Sequence, residues 1–137
     1  VLALFIKHKK ESKPMAYTAV MLDTPSRELL IGATAIPEGW KTFGEHMTID
    51  LKPLAKSMGF EIGGQTKRLT IVSVGVSEAA LAVEVMTDVP SKNARKHVTI
   101  AVAPGCKPMQ SNEIEQWDAT HLLVGSVLEG VVMEVTK

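Results

Sequence analysis

Two histidines in this chain open the same four-residue pattern: His46-Met47-Thr48-Ile49 and His97-Val98-Thr99-Ile100. An imidazole titrates near neutral pH, so of two imidazoles one can be neutral and take a proton while the other is charged and gives one. A threonine hydroxyl two residues on can donate a hydrogen bond to an oxygen on which negative charge is growing. Two histidines and two threonines around one cleft therefore suit acid–base chemistry on a phosphodiester. One imidazole would activate water and the other would protonate the leaving oxygen, and no metal is required.

The repeat carries weight because histidine is scarce. Among four histidines, a given one would be followed by x-Thr-Ile about one time in two hundred at random, and two of the four on the order of 10⁻⁴ of the time. A lone histidine on a half-buried strand is ordinarily structural; a matched pair at wide separation reverses that expectation. Zinc is the competing explanation. It needs a third and usually a fourth ligand. Asp50 shares the His46 face, but Cys106 and His121 stand in no usual ligand spacing, so no metal site is expected.

The motifs need strands to position them. In a strand, residues two apart share a face. His46 and Thr48 then project together while Met47 and Ile49 face the core; His97 and Thr99 project together opposite Val98 and Ile100. The surrounding chain reads as strand-rich. Met15–Leu22 alternates like a strand, and Asp23-Thr24-Pro25-Ser26 starts a short helix over Arg27–Ala33. Pro37, Gly39 and Gly44 mark a loop before the first motif. Lys52–Gly59 reads as a short helix ending at Gly59. Arg68–Val76, Ala80–Thr87 and His97–Ala103 read as strands. Ser111–Trp117 reads as a short helix with Ser111 as N-cap. His121–Val127 and Val131–Val135 read as two closing strands joined near Glu129-Gly130. The fold class is α+β.

With 137 residues the length fits one domain with its own core. Lys7–Pro14 is polar and basic, so residues 1–14 read as a lead-in or linker and 15–137 as the domain. Fifteen basic residues balance fifteen acidic ones. A broad positive field for long nucleic acid is not expected, which leaves small or short anionic ligands. The one cysteine, Cys106, cannot form an intrachain disulfide and points to a reducing, intracellular setting, cytoplasmic or nuclear. No apolar run reaches membrane-spanning length, so no membrane partner is expected. The opening Val points to a processed product or a piece of something longer.

The paired His-x-Thr-hydrophobic motifs in a small strand-rich domain resemble the two-histidine phosphoesterase superfamily. The second region, "HVTIAVAPGCKPMQSNEIEQW", is most similar to the cyclic phosphodiesterase modules of RNA-repair and tRNA-splicing ligases, and "LLVGSVLEGVVMEV" to that group's final strand pair. The resemblance spans about residues 15–136. It implies two pseudo-symmetric lobes, each an antiparallel sheet with outer helices, and a catalytic cleft between them. It also implies opening of a 2′,3′-cyclic phosphate on an RNA end or nucleotide to leave a 2′-phosphate, without a cofactor. Carried over, the catalytic residues are His46, Thr48, His97 and Thr99, with His97 as the base and His46 as the acid by family habit. The span between the motifs has little room for the long helices of larger members.

Secondary candidates for substrate contact are Lys67, Arg68 and Lys107, which could meet a phosphate, and Trp40 and Tyr17, which could stack a base. Each has a plainer reading as a solvated charge or a packed ring. Trp117 and Cys106 read as structural and inert. The alternatives to RNA-end hydrolysis are cleavage of cyclic di- or oligonucleotides in the same cleft, and a non-catalytic module that binds RNA ends. A place within a larger multidomain RNA-repair protein fits the basic lead-in.

Overall fold

The computed structural model describes residues 16–136; the lead-in at 1–14, the strand start at Met15, and His8 lie outside them. The chain is α+β and mostly antiparallel sheet. Among the described residues its strands are β1 (Ala16–Leu22), β2 (Lys41–Thr42), β3 (His46–Asp50), β4 (Thr66–Val76), β5 (Ala80–Met86), β6 (His97–Val102), β7 (Gln116–Asp118) and β8 (Val127–Thr136), and its α-helix is α1 (Thr24–Ala33). The sheet order is β2-β6-β5-β4-β8-β1-β3, and β7 pairs with β4.

The helix forms where its capping residues direct it. The Asp23 carboxylate accepts the Ser26 N–H at 2.9 Å, Pro25 sits in the first turn where its missing N–H costs nothing, and Leu30 is buried. The Ser26 hydroxyl then accepts the Glu129 N–H at 2.8 Å, which ties the helix start to β8.

The long strand β4 joins two groups of strands. Thr66–Thr70 pairs with β8, Thr70–Val76 pairs with β5, and a register shift lies between Ile71 and Ser73. On one side of this joint run β8, β1 and β3; on the other, β5 and β6. Val20, Met47, Ile49, Leu69, Ile71, Val83, Val98, Ile100, Leu128 and Val132 fill one core with Leu30. A smaller cluster of Ala80, Ala82, Val102 and Ile114, with Phe43, Cys106 and Trp117 against it, lies apart.

Three expectations are corrected. The span 52–59 is not an α-helix but holds a 3₁₀ turn at Leu54–Lys56, with a second at Phe60–Ile62. Pro53 and the Gly59 and Gly63-Gly64 breaks leave too few residues for a propagating helix. The span 111–117 is likewise not a helix capped by Ser111. A 3₁₀ turn begins earlier, at Pro108, and ends at Glu113, after which Gln116–Asp118 forms β7. Finally, there is no hairpin at Glu129-Gly130. Residues 119–125 are turns and bends, and one strand, β8, runs straight through Gly130.

Candidate active site

The two motifs occupy β3 and β6, which approach with Cα atoms within 8 Å, and each strand's lead-in is bonded to the other motif. The Phe43 and Gly44 N–H groups donate to the Ile100 and Thr99 carbonyls at 2.6 and 2.9 Å. In return the Lys92 N–H donates to the Ile49 carbonyl at 2.8 Å, and the Ser91 hydroxyl donates to the Thr48 carbonyl at 2.8 Å. The same two carbonyls of each motif, those of threonine and isoleucine, are the acceptors. Gly44 has φ +65°, a backbone state that favours glycine, where the chain passes from β2, the neighbour of β6, into β3.

Both motif strands carry a register shift at the same motif position. Between Thr18↔Asp50 and Ala19↔Thr48, Ile49 is the extra residue opposite β1. Between Leu81↔Ala101 and Ala82↔Thr99, Ile100 is the extra residue opposite β5. A bulge of this kind bends a strand and re-aims the side chains around it. Met47, Ile49, Val98 and Ile100 are all fully buried in one core. Alternation along each strand therefore sets His46 and Thr48, and His97 and Thr99, on the side away from that core. The bulge also undoes one expectation: Asp50 does not stand with His46 as a candidate ligand. It is buried, and its carboxylate accepts the Met58 N–H at 3.2 Å. Among the described residues no three His, Cys, Asp or Glu side chains are grouped to hold a metal ion.

His97 is the better defined imidazole. It is 7% exposed, and its Nδ1 lies 2.8 Å from the Arg95 carbonyl. A carbonyl only accepts, so the neutral ring must carry its proton on Nδ1 and leave the Nε2 lone pair free. Nε2 has no protein partner among the described residues, yet none of their buried side-chain nitrogens or oxygens lacks one. The small exposed part of the ring therefore includes Nε2. Burial lowers the His97 pKa, the Arg95 carbonyl bond raises it, and the Arg95 charge lowers it further; the net direction is down. The ring is held neutral with its basic nitrogen outward, the state a proton acceptor requires.

This burial has a measurable consequence. The unfolded histidine titrates near ~6.5, and the folded one lower. The unfolded chain thus binds the proton first on acidification. The stability associated with neutral His97 is whole above ~6.5 and is lost as pH falls through the lowered folded value. Urea midpoints are expected to fall more between pH 7.5 and pH 5 for the wild type than for His97→Gln; equal falls would refute the assignment.

His46 is half-buried and packs against the Tyr17 ring at 5.4 Å between centroids, tilted by 51°. Burial, then the Glu45 charge, raises the Tyr17 pKa, so the phenol stays neutral beside the imidazole. The threonines differ. The Thr48 hydroxyl has no protein partner among the described residues. Thr99 Oγ1 lies 2.7 Å from Ser111 Oγ and donates to the Pro108 carbonyl at 3.3 Å. To bond a ligand oxygen, Thr99 must exchange one of these partners.

The secondary candidates separate. Tyr17 is brought to the first motif. Trp40 is partly buried against the main core. Lys67 pairs with Asp88 at 3.7 Å, Arg68 pairs with Glu129 at 3.2 Å, and Lys107 is exposed at the start of the Pro108–Glu113 turn. Among the described residues no hydrogen bond, ion pair or ring contact joins these four to either motif imidazole. Trp117 packs flat on Gly75, where a Cβ would meet its ring at 2.5 Å. The residues that sequence reasoning missed are Ser91, Arg95 and Ser111. Two of them act through loop hydroxyls, and Arg95 holds His97 through a backbone carbonyl that its side-chain identity does not reveal. Only nearness to the motif, two residues before His97, could have marked it.

The chain matches no family model and no curated protein. Among the described residues no helix is long and apolar enough to cross a membrane.

Proposed function

We propose that this protein is a 2′,3′-cyclic phosphodiesterase that acts on RNA ends or small cyclic nucleotides inside the cell, with His97 as base and His46 as acid. The observation that carries the reading is the mirrored docking of the two motif strands, with the same two carbonyls accepting and the same isoleucine bulged in each. On this reading β3-β1-β8 and β6-β5-β4 are two lobes related by an approximate two-fold, and the cleft lies where the motifs meet. This is the arrangement that the resemblance to two-histidine phosphoesterases implies.

Water attacks the phosphorus and yields its proton to His97 Nε2. The bond from phosphorus to the 3′ oxygen breaks, and that oxygen takes a proton from His46, leaving a 2′-phosphomonoester. The Thr48 hydroxyl donates to a phosphoryl oxygen as charge grows on it. Thr99 does so once its hydroxyl proton leaves the Pro108 carbonyl. The chemistry requires one neutral and one charged imidazole, so kcat/KM against pH is expected to be bell-shaped. The acid limb, set by protonation of His97, falls below ~6.5. The assay is hydrolysis of a 2′,3′-cyclic nucleotide with chelator present. Failure to turn over any mononucleotide, RNA end or cyclic oligonucleotide, or a flat profile from acid to neutral pH, would sink the reading. Because Thr99 is tied to Ser111, a non-catalytic RNA-end binder is the second reading; binding without turnover would favour it.

A further inference from the structure

Beside the second motif lies a pocket of about 460 Å³, lined by Lys92, Asn93, Arg95, Ser111, Asn112 and Trp117 among others. A pocket of several hundred Å³ is the size that small organic ligands occupy. Neither motif histidine lines it, but its walls are the residues that hold the second motif. The Arg95 carbonyl faces His97 Nδ1, and Ser111 Oγ bonds Thr99 Oγ1. The rim residue Lys92 also bonds the first motif through its backbone, by the N–H that reaches Ile49. The pocket is therefore walled by residues that bond both motifs.

Its lining chemistry is that of a nucleotide site. The Arg95 guanidinium sits over the Trp117 ring, 4.6 Å from the centroid, and Glu84 steadies it at 2.7 Å. Glu84 is itself held by the Ser73 hydroxyl at 2.8 Å. The indole packs against Gly75, and the exposed Arg95 side chain over it offers a guanidinium plane. Such planes stack bases in single-stranded RNA recognition. Lys92 is exposed and makes no ion pair among the described residues, so its charge can meet a phosphodiester. Asn112 Nδ2 donates one proton to the Met109 carbonyl at 3.1 Å, which leaves its Oδ1 and second N–H, with the Asn93 amide, for base edges. No carboxylate lines the pocket.

We infer that this pocket is a subsite for a second nucleotide, so that the preferred substrate is an RNA end of two or more nucleotides rather than a cyclic mononucleotide. The inference rests on the phosphodiesterase reading above. A cyclic phosphate closes the 3′ end of its strand, so the only neighbouring nucleotide is on the 5′ side, and Lys92 would meet the phosphodiester that links the two.

The test compares a 2′,3′-cyclic mononucleotide with a dinucleotide ending in the same cyclic phosphate, using the wild type and the Lys92→Ala, Asn112→Ala double variant. The dinucleotide is expected to have the higher kcat/KM by about tenfold, an ordinary contribution for a hydrogen bond to a charged phosphodiester. The double variant is expected to lose that advantage while mononucleotide turnover stays within about twofold. Equal turnover of both substrates by the wild type would overturn the inference, as would equal losses on both in the variant. Binding of the dinucleotide 3′-monophosphate, followed by tryptophan fluorescence, separates this from failure of the parent reading. If no substrate is hydrolysed, the phosphodiesterase reading fails. The subsite then stands if the wild type binds that probe about tenfold more tightly than the variant, and falls if the two bind alike.

Discussion

His97→Ala and His46→Ala are each expected to lower kcat of cyclic phosphate hydrolysis by about 10²–10⁴-fold, the usual contribution of one general acid or base. In the proposed mechanism the two imidazoles serve a single proton-transfer sequence, so the double variant should lose little more than the worse single variant. The two losses should differ in their pH dependence. Removing His97 deletes the acid limb, because its neutral form is the one that accepts a proton. Removing His46 deletes the alkaline limb. A Thr48→Val variant should lose less than either, since it removes one hydrogen bond to a charged oxygen, about 1.5–3 kcal/mol. Each variant must retain the wild-type far-ultraviolet circular dichroism for the comparison to hold. Full activity in either alanine variant would end the two-histidine mechanism.

Gly130→Ala is expected to destabilise the fold more than an ordinary surface change. Gly130 lies in the middle of β8, between Leu22 of β1 and Lys67 of β4. A Cβ there would stand 2.5 Å from the Met21 carbonyl oxygen and 2.7 Å from Val20 Cγ1. The first of these is backbone and cannot yield by changing rotamer, so β1 and β8 must move apart. Overpacking of this kind costs about 1–3 kcal/mol, or roughly 3–5 °C of melting temperature per kcal/mol for a domain of this size. Gly32→Ala provides the opposite control. It lies in α1 with nothing within 4 Å of an added Cβ, and alanine should stabilise the helix by about 0.5–1 kcal/mol. A Gly130→Ala protein that melts at or above the wild-type temperature would contradict the packing described for this strand pair.

The same glycine shows where sequence reading stops. Glu129-Gly130 reads as a turn because glycine is common in turns. Its reason for being glycine is instead the close passage of β1, which runs about 110 positions earlier in the chain. Lys52–Gly59 and Ser111–Trp117 failed as helices for a related reason. Their polar and apolar residues suit a helix, but Gly59, Gly63 and Gly64 break up the first span, and pairing of Gln116–Asp118 with β4 takes the end of the second. Ser111 serves Thr99 instead of a helix end. By contrast α1 was legible, because Asp23 and Pro25 act on atoms within three residues of themselves.

For the candidate site, sequence alone determined which side chains share a face. His46 with Thr48, and His97 with Thr99, follow from the two-residue period of a pleated strand, which is a property of neighbouring bonds. Sequence could not say that Ile49 and Ile100 would bulge, that Asp50 would turn inward to Met58, or that an arginine carbonyl would fix the His97 proton on Nδ1. Those outcomes depend on hydrogen bonds and packing between segments that meet only when the sheet has formed. The tertiary structure also decided the difference between the two imidazoles, because burial depends on what the rest of the chain lays over each ring.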